Sequence, residues 1–376
     1  MWALIFSAIL VVSLTGLAFI ANRLTKFPFL RTTGRKKAYL FGFLIPALIL
    51  AVISLWSGIW NGMIIFIHLL LFWLLCEGCF KLAAKLRKKP FAAHWAGITA
   101  VVITVCYLAA GFFFAHHVYR TAYTFETEKP LGLSSLRIVG FSDSHVGTTF
   151  SGEEFGKLVD RMNAEHPDLV VIVGDFADDD TEYTDMAEAC RALGRLETKY
   201  GAYYVFGNHD KGYYSSHRGY GKEELVRNLR ENNVAVLEDE VVPITGNVVL
   251  CGRRDAGQRN RMTMAELAEN FGPDTFSVIL DHQPNDYAAQ AEAGADLVIS
   301  GHTHGGQFIP INRVGELIGA NDMTYGTATR GNTRFLITSG ISGWAFQFKT
   351  GCISEYFVID LLENKNTPLP GSPPAP

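Results

Sequence analysis

Aspartate, asparagine and histidine recur in five short clusters of this 376-residue chain, and all three are ligands for hard or borderline divalent cations. The clusters are Asp143-Ser144-His145; Gly174-Asp175, with Asp178 three residues on; Gly207-Asn208-His209-Asp210; Asp281-His282; and Gly301-His302-Thr303-His304-Gly305-Gly306. Such a donor set suits Mn, Fe, Zn or Mg, whereas thiolates would select softer metals. His302 and His304 alternate along an extended segment, so they can address two ions or opposite sides of one pair. Glycines around them admit close backbone approach. Two ions about 3.5–4 Å apart clamp a phosphoryl group for in-line displacement and make water acidic near neutral pH. Any one cluster alone would read as a cap or a turn; five together are hard to explain that way.

Each cluster directly follows a short apolar run, at 136–141, 169–173, 203–206, 277–280 and 297–300. Further β-rich runs lie at 248–251, 335–338 and 356–359. Between the first two runs, Phe155, Leu158, Val159 and Met162 recur at helical spacing, and Met186, Cys190, Leu193 and Leu196 do so before the third. Unbroken apolar strands alternating with amphipathic helices predict a layered α/β domain whose sheets are covered by helices. Ligands of such sheets bind beyond the carboxyl ends of the strands, where all five clusters fall.

The ordered set D-S-H, G-D-x-x-D, G-N-H-D, H and G-H-T-H resembles the calcineurin-like metallophosphoesterase superfamily, over residues 136 to 360. The run GHTHGGQ at 301–307 more narrowly resembles a bacterial membrane-associated branch, some members of which cleave the pyrophosphate of a nucleotide-linked lipid sugar. The resemblance implies two packed β-sheets flanked by helices over 131–362, and two divalent ions, Mn, Fe or Zn. It implies that Asp143, His145 and His304 hold the first ion, that Asp175 bridges, and that Asn208, His282 and His302 complete the second. His209 would be a non-ligand catalytic histidine, oriented by Asp178. One departure is Asp281, an acidic residue where the family pattern leads us to expect a less acidic one.

The elements that carry this domain begin with a different composition. The chain is 48% hydrophobic and 19% charged, too apolar for an average soluble protein. Uncharged runs long enough for a bilayer predict an all-α, four-helix transmembrane region over 1–115, with spans near 2–21, 38–57, 62–80 and 95–115. A cleaved signal peptide is the rival for the first span, but a basic n-region and a clear small-residue cleavage site are missing. A linker is expected at 116–130 and a disordered, proline-rich tail at 363–376. Arg23, Lys26, Arg31, Arg35, Lys36 and Lys37 lie between spans one and two, and Lys81, Lys85, Arg87, Lys88 and Lys89 between three and four. The positive-inside rule then predicts a multi-pass protein of the cytoplasmic membrane with its α/β domain outside.

The net charge of −4 and the absence of a basic stripe argue against nucleic acid as a partner. The six cysteines form no disulfide framework. The expected partners are the bilayer and a phosphoester substrate. A lipid-linked substrate is suggested by the short linker and by Phe308, Ile309, Trp344 and Phe346 near the presumed site. The alternatives are an inactive phosphoester-binding or sensor protein on the same scaffold, and a transporter. The second has few polar residues in its spans to line a path.

Overall fold

The computed structural model describes residues 2–92, 94–212, 218–272 and 274–364, with side chains from Val11 onward. The chain forms two compact units, Met1–Gly111 and Phe112–Pro376.

The first unit is helical: α1 Trp2–Leu24, α2 Pro28–Arg31, α3 Arg35–Ser57, α4 Ile59–Arg87 and α5 Trp95–His116, the last running into the second unit. Proline suits the start of α2, where its missing N–H would be unpaired anyway. Gly58, at φ 88°, ends α3 and starts α4 at the next residue, so the turn expected over 57–62 shrinks to one residue. Helices α3, α4 and α5 are each long and apolar enough to cross a membrane. In α1 the described apolar stretch, Val11–Leu24, is shorter. Helix α4 outruns the expected 62–80 and carries Lys81, Lys85 and Arg87 in its last turns. Leu17, Ile20, Phe66, Trp73, Ala96 and Ala100 form the apolar centre of this unit. Glu77 meets Arg23 through Nη2 at 2.8 Å and Nε at 2.9 Å, and Lys81 at 3.3 Å. A carboxylate among apolar helices thus serves as a paired tie between α1 and α4.

The second unit runs β1 Val118–Thr127, β2 Ser135–Phe141, α6 Gly152–Asn163, β3 Leu169–Val173, α7 Tyr183–Leu193, β4 Ala202–Val205, α8 Lys222–Glu231, β5 Val234–Leu237, β6 Glu240–Pro243, β7 Val248–Gly252, α9 Met264–Ala268, β8 Phe276–Leu280, α10 Tyr287–Glu292, β9 Leu297–Ser300, α11 Val314–Leu317, β10 Gly326–Arg330, β11 Thr333–Ile337 and β12 Ser354–Glu363. The strands make two six-stranded sheets, ordered β1-β12-β2-β3-β4-β5 and β10-β11-β9-β8-β7-β6. Side chains alternate across each strand, so one strand feeds two cores. Val170 and Ile172 of β3 pack with Phe155 and Val159 of α6 and Met186 of α7. Leu169, Val171 and Val173 instead meet Leu250, Val278 and Ile299 of the other sheet. Met264, Leu267 and Tyr287 cover that sheet's far side with Phe335 and Ile337. The result is helices, sheet, sheet, helices, and the doubly buried strands explain the unbroken apolar runs.

The linker expected at 116–130 is corrected by β1, a ten-residue strand paired in parallel with β12 from Val118↔Ser354 to Thr127↔Glu363. Its side chains alternate between half-buried and exposed, the pattern of an edge strand, and lack the apolar run that marks a central one. Beyond Asn364 the proline-rich tail lies outside the described residues.

Candidate metal centre

Strands β2, β3 and β4 are parallel neighbours in one sheet, and β8 and β9 in the other. Their carboxyl ends therefore open onto loops at common edges. The loops continue the ladder: Asp143 N–H donates to Gly174 O at 3.0 Å, His145 N–H to Asp175 O at 3.1 Å, and Gly301 N–H to His282 O at 3.0 Å. Two bonds cross between sheets. His282 Nδ1 contacts Val173 O at 2.8 Å, and the His302 N–H reaches both carboxylate oxygens of Asp143 at 3.1 and 3.0 Å.

Six side chains converge in two groups, Asp143, His145 and His304, and Asp175, His282 and His302, the candidate ligand atoms of each group lying within 4.8 Å of one another. Asp175 stands between them: its Oδ2 is 3.0 Å from His282 Nε2 and 3.9 Å from His145 Nε2. Asp143, His145, Asp175 and His282 are almost wholly buried. Five of the six, all but His282, have positive φ between 38° and 69°, a region sparsely populated by residues with a Cβ. Strain of this kind persists only where the surrounding structure over-determines it. Space is equally constrained: a Cβ on Gly174, itself at φ 75°, would lie 2.5 Å from His282 Nδ1, and one on Gly207 would lie 2.1 Å from Asp175 Oδ1.

The histidine tautomers follow from what each Nδ1 meets. His145 Nδ1 faces Asp178 Oδ2 at 3.1 Å, His282 Nδ1 faces Val173 O, and His304 Nδ1 faces Ser342 O at 3.1 Å. All three partners only accept, so each Nδ1 carries the proton and each Nε2 lone pair is left pointing inward. His145 and His304 bring their Nε2 atoms to 3.3 Å of each other. His282 Nε2 faces Asp175 Oδ2 at 3.0 Å, whereas the buried Oδ1 of Asn208 makes no hydrogen bond. A buried polar atom left bare in this way needs a partner of another kind.

Residues 136–306 match the sequence model of the calcineurin-like phosphoesterases. A metallophosphoesterase of Aquifex aeolicus is 32% identical over 49% of this chain and 69% of its own. The chain belongs to the calcineurin-like phosphoesterase family. A transmembrane protein with metallophosphoesterase domain from Bos taurus is 32% identical over 49% of this chain and 43% of its own length. A Campylobacter jejuni metallophosphoesterase is 28% identical over 64% and 63%. The chain thus spans less than two thirds of the length of these last two relatives.

Calcineurin-like phosphoesterases hold two divalent metals, and the donor set here fits them. Three inward Nε2 lone pairs, the orphaned Asn208 oxygen and buried carboxylates form an environment that calls for cations. The electrostatics agree. Burial opposes ionisation of Asp175, yet His282 and His145 hold its carboxyl far below the usual range. Burial likewise opposes charge on His145, but Asp178, Asp175 and Asp143 raise its pKa. Burial takes His304 down to about 3, against the pull of Asp143, which leaves it a neutral donor.

His209 stands apart from the two groups. Its N–H donates to Asp175 Oδ1 at 2.8 Å, and its ring lies 5.4 Å from that of His145 and 5.5 Å from that of Trp344. Asp178, which the family pattern assigns to His209, accepts from His145 Nδ1 through Oδ2 and from the Asp180 N–H and Thr181 hydroxyl through Oδ1, while its carboxyl also feels the charge of His209. Asp281 has become structural: Arg253 at 2.8 Å, Arg261, and Gln290 at 2.7 Å all bind its carboxylate.

Two residues of this site escaped sequence reasoning. Asp210 is fully buried and accepts from the N–H groups of Asp175 at 2.8 Å, Gly207 at 2.7 Å and Ala177 at 2.9 Å, stapling two site loops. Burial, with the charge of Asp175, raises its pKa against the pull of the Ala177 and Gly207 N–H groups. Its place in G-N-H-D was the available signal. Gln307 accepts from Thr350 and Gly351 N–H at 2.8 and 3.0 Å, and its Nε2 reaches Phe348 O at 3.2 Å. The last residue of GHTHGGQ therefore fastens the 343–351 loop beside the site.

Proposed function

We propose that this protein hydrolyses phosphoester or pyrophosphate bonds, with Asp143, His145 and His304 holding one divalent ion, Asn208, His282 and His302 a second, and Asp175 shared. The observation carrying this reading is the inward convergence of three histidine Nε2 lone pairs on buried carboxylates. Bound there, the ions would supply Lewis-acid charge to a phosphoryl group and make water acidic near neutral pH. The chain's own groups do the rest. Asp178 fixes the His145 tautomer. His209, packed between the His145 and Trp344 rings, would give a proton to the leaving oxygen.

The substrate class we favour is a membrane lipid or a lipid-linked phosphate. His302 and His304 border a cavity of about 250 Å³ whose other lining includes Phe308, Trp344 and Phe346. Apolar walls beside phosphate-directed groups suit a headgroup that carries acyl chain, each buried methylene contributing roughly 0.8 kcal/mol. The chain also allows little separation from the bilayer, because only His117 lies between α5 and β1.

The full-length protein in lipid nanodiscs should carry two ions per chain by elemental analysis. It should cleave bis-p-nitrophenyl phosphate in a chelator-sensitive way that Mn, Fe or Zn restores. Long-chain phospholipids and nucleotide-linked lipids should be cleaved faster than soluble diesters. Activity with one ion or none would refute the dinuclear site. Two ions with no hydrolysis of any substrate would instead favour the sensor reading, and equal rates on soluble and lipid substrates would remove the lipid.

The domain is proposed to face away from the cytoplasm. Arg23, Lys26, Arg31 and Arg35–Lys37 flank the turn between α1 and α3, while Lys85 and Arg87–Lys89 flank the one between α4 and α5. With both turns inside, α5 must carry the chain outward whether or not α1 spans. Periplasmic-type reporters fused after Asn61 and after Asp360 should both be active. A cytoplasmic signal after Asp360 would overturn this orientation.

A further inference from the structure

From Val118 to Asn364, every exposed isoleucine, leucine and valine among the described residues lies in one ten-residue segment. Ile309 is 49% exposed, Ile311 59%, Val314 42%, Leu317 83% and Ile318 71%. A soluble surface scatters such residues singly; five on one loop form a patch that needs a partner. We infer that segment 309–318 is a membrane-docking loop, whose apolar side chains lie at the headgroup–acyl boundary of the bilayer that α5 crosses. The inference holds whether or not the substrate is a lipid.

Three further features support the bilayer as the occupant. First, the loop is presented from a fixed base. A Cβ on Gly306, at φ 75°, would sit 2.1 Å from Asn312 O, so the chain is folded tightly back there. Thr350 Oγ1 accepts the Ile309 N–H at 3.3 Å, and Gln307 ties down the neighbouring loop. Second, the charges are arranged for an interface. The one carboxylate between Phe308 and Ala320 is Glu316, and it turns back to accept the Thr324 N–H at 2.7 Å. The Arg313 side chain makes a long, 3.9 Å contact with Glu316 and is 75% exposed. Apolar side chains with an outward cation are the signature of a segment lying in an anionic lipid surface. Third, a single residue joins α5 to β1, so a bilayer is present at high effective concentration at all times. Docking would also bring the site mouth to headgroup depth, because Ile311 borders the same cavity as His302 and His304.

The test is photo-cross-linking of the full-length protein in phosphatidylethanolamine–phosphatidylglycerol vesicles. Benzoylphenylalanine would replace Leu317 in one preparation and Arg227, 61% exposed on α8, in another. Lipid adducts from position 317 should exceed those from position 227 by about tenfold or more. Equal yields would overturn the inference, and so would covalent chain dimers from position 317 in place of lipid adducts. In a second arm the probe replaces Ile311, and Leu317→Asp with Ile318→Asp is added. Lipid adducts from position 311 should then fall about tenfold, with metal content as the control for folding. Undiminished adducts there would equally overturn it. None of these readouts depends on turnover, so failure of the hydrolase reading would show separately, as lack of diester cleavage by the unsubstituted protein.

Discussion

Asp175→Asn is expected to lose metal and turnover together. The carboxylate is buried, its Oδ2 lies within 4 Å of an imidazole from each ligand group, and its Oδ1 accepts the His209 N–H. Asparagine keeps the shape and one acceptor oxygen, so it removes the charge and little else. His282 and His145 favour the ionised carboxylate, so its loss also costs the metal-free fold some stability, and metal content is compared at a temperature where both proteins remain folded. Metal-derived charge stabilisation at phosphorus is worth several kcal/mol, so turnover should fall on the order of 10³-fold or more. Thermal unfolding gives an independent reading. A site-bound ion at 100 times its Kd stabilises the native state by about 2.7 kcal/mol, and Asp175→Asn should lose most of the corresponding shift in Tm on adding Mn. A variant that keeps two ions and near-normal turnover would sink the shared-carboxylate assignment.

His209→Ala should separate what Asp175→Asn joins. Its ring is not part of either ligand group and lies 5.5 Å from that of Trp344. We expect two ions to remain while turnover falls about 10²–10⁴-fold. The size of the loss should depend on the leaving group. A p-nitrophenolate departs with little protonation, whereas an alkoxide needs a proton, so the variant should be far more impaired on alkyl than on aryl esters. Equal losses on both would make His209 a charge stabiliser and not an acid. Loss of both ions would make it structural.

The outcome of the sequence reading differs from element to element for identifiable reasons. Strands β3 and β9 were legible to the residue, because burial on both faces demands continuous apolar runs bounded by turn residues. Strands β1 and β10 were not, because half-exposed edge strands carry polar residues at alternate positions and look like loops, and β6 is only four residues ending in proline. The Arg253–Asp281 ion pair was not legible either, because its partners follow different strands, β7 and β8, and meet only when those strands pair. The Glu77 pairing was hidden too, because its partner Arg23 lies on α1 and reaches it only when α1 packs against α4.

Residue type and spacing alone determined that chemistry-bearing groups follow five strands and that an apolar helical region precedes them, since ligand hardness, strand period and the length of apolar runs are local properties. Tertiary structure decided how those groups are used. It set three imidazole tautomers through acceptors on other segments, Asp178, Val173 and Ser342. It turned Asp178 to His145 and made Asp210 the staple of two loops. Among the described residues from Val118 onward, it also left the isoleucine, leucine and valine side chains of segment 309–318, and no others, exposed. These outcomes depend on which backbone carbonyl, amide or solvent lies opposite a side chain, and that is fixed only when segments distant in sequence pack together.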